Sequence, residues 1–280
     1  MAAKELSSRY RHAFITGASG GLGLAFAKML LAEGIRVTGT ARDVARLASL
    51  AKDTRFTPLA LDLADAPGAE RAFREAEVAA GEGGFDLVIN NAGYGLFGAF
   101  TEVDFSVWQA QVDALLSATA RLSHVGLRSM LPRKRGTLVN VSSLAVEFPL
   151  PFMSGYNMAK AALSALSESL IFETRGTGVT VIDLRPGDYR TAFNQAMQPT
   201  VHLSASDPRL ASAWRELESH LATAPLAVAA ARDLRRALMR GRSGTVRSGS
   251  FFQARIAPLF SRLAPARVRR AIIARYQGAS

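Results

Sequence analysis

Tyr156 and Lys160 stand four residues apart, a spacing that puts both side chains on one face of a helix. A free phenol titrates at about 10 and is a poor base at neutral pH. A neighbouring ammonium favours the phenolate and lowers that value, so the pair is suited to passing a proton to or from a bound substrate. Ser143 lies thirteen residues before Tyr156, in Val141-Ser142-Ser143, and its hydroxyl can donate a hydrogen bond to a carbonyl oxygen. Each group also has an ordinary structural reading. A lysine on an amphipathic helix snorkels, and a serine pair caps a strand end.

A second constellation lies far upstream. Thr16 to Gly23 reads T-G-A-S-G-G-L-G, directly after an apolar run and at the start of a helical pattern. Glycine permits a tight turn and close approach of backbone to a phosphate, and a helix N-terminus offers unpaired N–H groups and positive dipole. Thr16, Gly17, Ser19, Gly21, Leu22 and Gly23 are therefore candidates for the floor under a dinucleotide pyrophosphate. The next strand ends in Thr40-Ala41-Arg42. An NAD site wants a carboxylate there, whereas Arg42 can meet a 2′-phosphate, so NADP(H) is favoured over NAD(H). Arg42 also reads as a solvent-exposed arginine opening a helix, and Asp43 as its cap.

The elements that must position these groups alternate regularly. Strand patterns cover Ala13 to Thr16, Arg36 to Thr40, Phe56 to Leu61, Asp86 to Asn90, Gly136 to Val141 and Val179 to Leu184. Helical patterns cover Leu22 to Glu33, Val44 to Ala51, Pro67 to Ala80, Phe105 to Met130 and Tyr156 to Thr174. Six strand–helix alternations with short joints predict an α/β fold, a Rossmann-like doubly wound parallel sheet with helices on both faces. Ligands bind such sheets at the C-terminal ends of the strands. After Pro186 the pattern weakens to a loop over Asp188 to Asp207, then helical stretches from Pro208 to Leu221 and Leu226 to Met239.

The chain resembles the short-chain dehydrogenase/reductase family, in its compact single-domain subclass, over roughly Ala13 to Thr191. The resemblance rests on T-G-A-S-G-G-L-G, Asp62-Leu63, Asn90-Asn91-Ala92-Gly93, Val139-Asn140-Val141-Ser142-Ser143, Tyr156-x-x-x-Lys160, and Arg185-Pro186-Gly187 with Thr191. It implies hydride transfer between a nicotinamide cofactor and a carbonyl/alcohol pair. Tyr156 would be the general acid or base, Ser143 would orient the substrate oxygen, and Lys160 would bind the nicotinamide ribose and lower the tyrosine pKa. Asp62 and Leu63 would contact adenine. Asn91, with Ala92 and Gly93 beside it, would support the cofactor, and Pro186, Gly187 and Thr191 would hold its nicotinamide end. A homodimer or homotetramer through the two long helices is also implied.

One departure stands out. Where the family carries an asparagine in the long central helix, completing a water-mediated proton relay, this chain has Asp113 in Gln111-Val112-Asp113. An ionised aspartate accepts hydrogen bonds but cannot donate them. That feature favours the alternative function, a cofactor-binding sensor or scaffold with little turnover. Asp188-Tyr189-Arg190 departs too, since the family has apolar residues there more often.

The substrate wall is expected from Tyr94, Phe97, Val146, Phe148, Leu150, Phe152, Phe193 and Met197, a set that suits a lipophilic carbonyl or secondary alcohol or, equally, plain core and lid packing. His124, His202 and His220 show no metal spacing. The chain has no cysteine, which excludes disulfides and thiolate sites. The polar N-terminus carries no apolar segment of a secretory signal, and no apolar stretch reaches the roughly 18 residues of a membrane span, so a cytoplasmic protein is expected.

The charge is unevenly placed. Twelve of the 34 basic residues, all arginine, and one of the 23 acidic residues lie in Ala231 to Ser280, so the net charge of +11 resides there. The first 230 residues are neutral, which argues against a nucleic-acid-binding core. A catalytic domain over residues 1–250 and a basic amphipathic extension over 251–280 are expected. Ile256, Leu259, Phe260 and Leu263 stand at helical spacing with Arg255 and Arg262 off that face, and a second helix follows Pro265. This tail either lies on an anionic membrane surface or turns its apolar stripe onto the pocket or the sheet edge.

Overall fold

The computed structural model describes residues 5–191, 197, 208–259 and 264–278. Phe193, His202, Phe260, Arg262 and Leu263, and most of the loop expected over Asp188 to Asp207, lie outside them. Seven parallel strands form one sheet in the order β3-β2-β1-β4-β5-β6-β7. They are β1 His12–Ile15, β2 Arg36–Ala41, β3 Phe56–Ala60, β4 Leu87–Asn90, β5 Gly136–Val141, β6 Val179–Pro186 and β7 Gly244–Ser248.

The apolar runs are continuous because both faces of the inner strands are covered. In β1, Ala13 and Ile15 face one core cluster and Phe14 faces the other. The same alternation places Leu87, Ile89, Val139, Val141, Ile182 and Leu184 on the first side and Val88, Leu138 and Val181 on the second. Helices α1 (Gly21–Ala32) and α7 (Ala227–Arg240) cover the first face through Phe26, Leu30, Leu234 and Leu238. Helix α2 (Ala66–Ala79) and the long central helix cover the second through Phe73, Leu122 and Val125, with α5 (Ser154–Glu173) beside them through Leu170.

Three differences from the expected pattern have physical reasons. Val44 to Ala51 holds only a 3₁₀ turn, Val44–Leu47, capped by Asp43, whose Oδ1 accepts from the Ala45 amide at 2.9 Å. The central helix is not continuous: α3 (Phe105–Val112) passes through a π turn, Asp113–Ser117, into α4 (Ala118–Met130). The seventh strand was not expected, because Gly-Thr-Val-Arg-Ser at the sheet edge is half-buried and has no apolar run. Downstream come α6 (Pro208–Thr223), a helical segment over 251–259 that includes a π turn, and α8 (Ala266–Tyr276). Among the described residues no helix is long and apolar enough to cross a membrane.

Candidate active site

The strand order turns back between β1 and β4, and the loops leaving the C-terminal ends of those strands part there. A cleft of about 960 Å³ opens at that point. Its walls include Gly17, Ser19, Gly21, Leu22, Arg42, Asp62, Leu63, Asn91, Ala92, Gly93, Ser143, Tyr156, Lys160, Pro186, Gly187 and Thr191. All these candidates, drawn from seven separate stretches of chain, share one cavity.

Thr16 and Gly23 stand behind the glycine loop instead of lining the cleft, and their part is to shape it. Thr16 Oγ1 accepts from the amides of Asn91 and Ala92 at 2.9 and 3.0 Å, while Asn91 Nδ2 donates to the Thr16 carbonyl oxygen at 3.0 Å. Gly17 has φ +71°, and a Cβ there would come within 2.9 Å of the Ala92 Cα. A Cβ on Gly23 would collide with the Gly17 carbonyl oxygen. The loop is thus drawn tight against the turn after β4, with the first turn of α1 facing the cleft. This is a cradle that side chains would fill, and it fits the pyrophosphate of a dinucleotide.

At the end of β2, exposed Arg42 lines the cleft, and Arg46, which the sequence reading passed over, lines it too. Asp43 is spent on its cap, and Asp62 Oδ1 accepts from the Ala64 amide at 3.0 Å. Two guanidinium groups therefore flank this end of the cleft beside Thr40 and Ala41.

Ser143, Tyr156 and Lys160 meet at the other end. Ser143 caps the 3₁₀ turn Leu144–Val146, its Oγ accepting from the Ala145 amide at 3.0 Å, and it also hydrogen-bonds Tyr156. Burial pushes the Tyr156 pKa up, the Ser143 hydrogen bond pulls it down, and Asp188 pushes it up further, so it lies above its ordinary value. This corrects the expectation that Lys160 makes the phenol acidic. The Lys160 ammonium sits 5.8 Å from the Tyr156 ring centroid and donates to the Val141 carbonyl oxygen at 2.7 Å. Burial brings Lys160 itself down to about 8 against an opposing pull from Asp183.

Asp183 is a member of the site's support that the sequence reading missed. It is fully buried in β6, accepting from the Ser142 hydroxyl, from Ser164 Oγ at 2.7 Å and from Arg185 Nε at 2.7 Å. Arg185 reaches Glu147 at 2.9 Å as well. The signal was a lone acid inside an apolar strand, since a buried charge needs partners.

Asp113 is not brought to the site. It is exposed at the start of the π turn, where its Oδ1 accepts from Gln109 Nε2 at 3.0 Å and from Ser117 Oγ at 3.4 Å. Ala114 and Leu115 line the cleft instead, Leu115 close to Gly93 and Lys160. Asp113 is matched from the family's Val-Asn pair, and the inward positions of this π turn fall instead on Ala114 and Leu115.

Of the expected substrate wall, Tyr94, Phe148, Leu150 and Met197 line the cleft, joined by Met153, Leu217 and Leu221. Phe97 and Phe152 pack behind it, Phe97 against Trp214 with ring centroids 5.0 Å apart, and Val146 is not among the lining residues. His124 is exposed, His220 stacks on Tyr276 at 4.3 Å, and no metal cluster occurs among the described residues.

The arginine-rich tail crosses the mouth of the cleft. Phe252, Gln253, Ile256, Ile273, Tyr276 and Gln277 all line it. Gln253 Nε2 donates to Asp188 Oδ2 at 2.5 Å, and the Asp188 amide donates back to Gln253 Oε1 at 3.3 Å. The Tyr189 hydroxyl is tied to Ser248 Oγ at 2.6 Å, and burial pushes it up to about 12. The polar residues after Gly187 thus fix this loop to β7 and the tail.

A doubly wound sheet with a glycine cradle and a Ser–Tyr–Lys group in one switch-point cleft defines a nicotinamide-dependent oxidoreductase fold. The family model for short chain dehydrogenases matches residues 11–202. The chain belongs to that family, whose members act on CH–OH/C=O groups with nicotinamide cofactors. It is 36% identical over 193 residues to an oxidoreductase of Botryotinia fuckeliana, covering 67% of this chain and 70% of that one. It is 34% identical over 182 residues to the serine 3-dehydrogenase of Agrobacterium fabrum, covering 64% and 72%. Among solved structures, a short-chain dehydrogenase from Streptomyces avermitilis superposes with TM-score 0.78 at 28% identity over 95% of both chains. A metagenomic short-chain oxidoreductase in complex with NADP superposes with TM-score 0.66 at 28% identity, over 85% of this chain and 96% of that one.

Proposed function

We propose that the protein is an NADP(H)-dependent oxidoreductase for a lipophilic ketone or aldehyde and the matching secondary alcohol. The observation that carries this reading is the Ser143–Tyr156–Lys160 group facing the same cavity as the glycine cradle. Bound nicotinamide would supply or accept the hydride.

In the reducing direction, the Ser143 hydroxyl donates to the carbonyl oxygen and holds it beside Tyr156. Tyr156 gives its phenolic proton to that oxygen as negative charge develops there. A pKa raised by burial keeps the phenol protonated and ready to donate. Lys160, its pKa lowered by burial to about 8, places positive charge behind the phenol and would hydrogen-bond the nicotinamide ribose. The amides of the glycine loop and the first turn of α1 would hold the pyrophosphate, with Asn91 and Thr16 keeping the loop in shape. Asp62 and Leu63 would border the adenine, Gly93 the ribose, and Pro186, Gly187 and Thr191 the nicotinamide end.

NADP(H) preference is supported by Arg42 and Arg46 together, which line the cleft at the end of β2 where Asp43 does not. A lipophilic substrate is supported by Tyr94, Phe148, Leu150, Met153, Leu217 and Leu221 on the far wall. We take residues 1–250 as the catalytic domain and 251–280 as its extension. Exposed Phe105, Met158 and Phe172 on the long helices support a homodimer or homotetramer through that face. The alternative, a cofactor-binding sensor or scaffold with little turnover, is favoured by the apolar Ala114 and Leu115 that the central helix turns to the cleft, with Asp113 exposed. NADPH consumption across a panel of aldehydes, ketones and quinones tests the proposal, and tight NADPH binding with no turnover on any of them would overturn it.

A further inference from the structure

The tail presents two faces that differ in what they meet. Its inner side lines the cleft and docks on α6 through the His220–Tyr276 stack, with Gly278 set against Ser212 and Glu216. Its outer side carries large apolar groups in water: Phe251 is 75% exposed, Leu259 63% and Val268 44%. Arg255, Arg267, Arg270 and Arg275 are exposed among them. No acidic residue occurs from Leu234 to the C-terminus.

We propose that this outer face is a docking surface for an anionic lipid bilayer, lying in the headgroup region with the apolar side chains dipped toward the acyl boundary. Charge complementarity selects that occupant. Residues 251–280 carry six arginines and no acidic residue, so a second copy brought to the same face would meet like charge. A soluble polyanion would satisfy the arginines but leave Phe251, Leu259 and Val268 in water. A bilayer with acidic headgroups satisfies both, and arginine at the edge of an apolar stripe snorkels to the phosphates.

The position of the patch gives it a use. Phe252, Ile256, Ile272 and Tyr276 line the cleft and are also 54%, 47%, 46% and 41% exposed. The rim of the cleft is therefore continuous with the apolar patch, and a lipophilic substrate would pass from the acyl boundary into the cavity without crossing water. This route rests on the lipophilic-substrate reading above; the docking itself does not.

The test is co-sedimentation of the full chain with vesicles of phosphatidylcholine alone or of equimolar phosphatidylcholine and phosphatidylglycerol. The expected result is about tenfold more protein pelleted by the anionic vesicles, an excess that raised salt removes. The double variant Phe251→Ser/Leu259→Ser should lose most of the excess, and so should Arg267→Ser/Arg270→Ser. Neither pair lines the cleft, so NADPH binding and thermal melting report that each variant is folded. Equal pelleting by both vesicle types overturns the proposal. Pelleting that survives Phe251→Ser/Leu259→Ser also overturns it, as would a dimer in solution that this pair of substitutions dissolves. Because the readout is binding, failure of the oxidoreductase reading would show separately, as absent turnover.

Discussion

Lys160, on α5, donates from Nζ to the carbonyl oxygen of Val141, the last residue of β5, at 2.7 Å. One of its three donors is thereby committed to the strand end, and the side chain is 4% exposed. Burial brings its pKa down to about 8, so the positive charge behind Tyr156 is lost as pH rises through that value. NADPH affinity, followed by fluorescence titration, is expected to fall as pH rises through about 8. In Lys160→Arg, whose guanidinium stays charged, that fall should be absent, although absolute affinity drops because the planar group fits a point-charge site poorly.

Arg42 and Arg46 provide the readable basis for cofactor choice. A charge-assisted hydrogen bond contributes roughly 1.5–3 kcal/mol. Arg42→Ala should therefore weaken the preference for NADPH over NADH by roughly ten- to a hundredfold in kcat/KM, by raising KM for NADPH. Equal loss for both cofactors would show that Arg42 does not read the 2′-phosphate.

Gly23 is where the cradle tolerates least. A Cβ there meets the Gly17 carbonyl oxygen, which is backbone and cannot swing aside. Gly23→Ala is expected to cost about 1–3 kcal/mol in urea unfolding and to weaken NADPH binding as well.

His12 sets a pH dependence of stability away from the cleft. Burial, chiefly, and then Arg36 lower its pKa from 6.5 to about 4, against an opposing pull from Asp86. Between those values the unfolded chain takes up a proton that the folded chain refuses. Stability should thus fall as pH drops from about 6.5 toward 4, and this group contributes no slope above that window. Urea midpoints across the range check this, and His12→Asn should flatten the slope.

Much of this was legible because the chemistry is local in sequence. Tyr156 and Lys160 share a helix face, and the glycine loop sits at a strand–helix joint whose signals agree. The alternation of Ala13, Phe14 and Ile15 between two cores explains why the strands read as plain apolar runs. What escaped depends on contacts or geometry that no spacing encodes. Strand β7 is held by pairing to β6, with Leu184 opposite Val246, and not by its own composition. Asp113, expected in the site from a two-residue motif match, stands exposed at the start of a π turn whose Ala114 and Leu115 face the cleft. The direction of the Tyr156 shift follows from burial, which outweighs the hydrogen bond from Ser143. Asp183 was visible as a charge out of place, but its partners Ser142, Ser164 and Arg185 were not.

The proton-transfer role of Tyr156 is tested most directly by Tyr156→Phe, with NADPH consumption and NADPH binding measured on the same preparation. Loss of the phenolic proton should lower kcat at least about a hundredfold, while the dissociation constant for NADPH changes little and the thermal melt is retained. Turnover within a few-fold of wild type, with NADPH still bound, would contradict it.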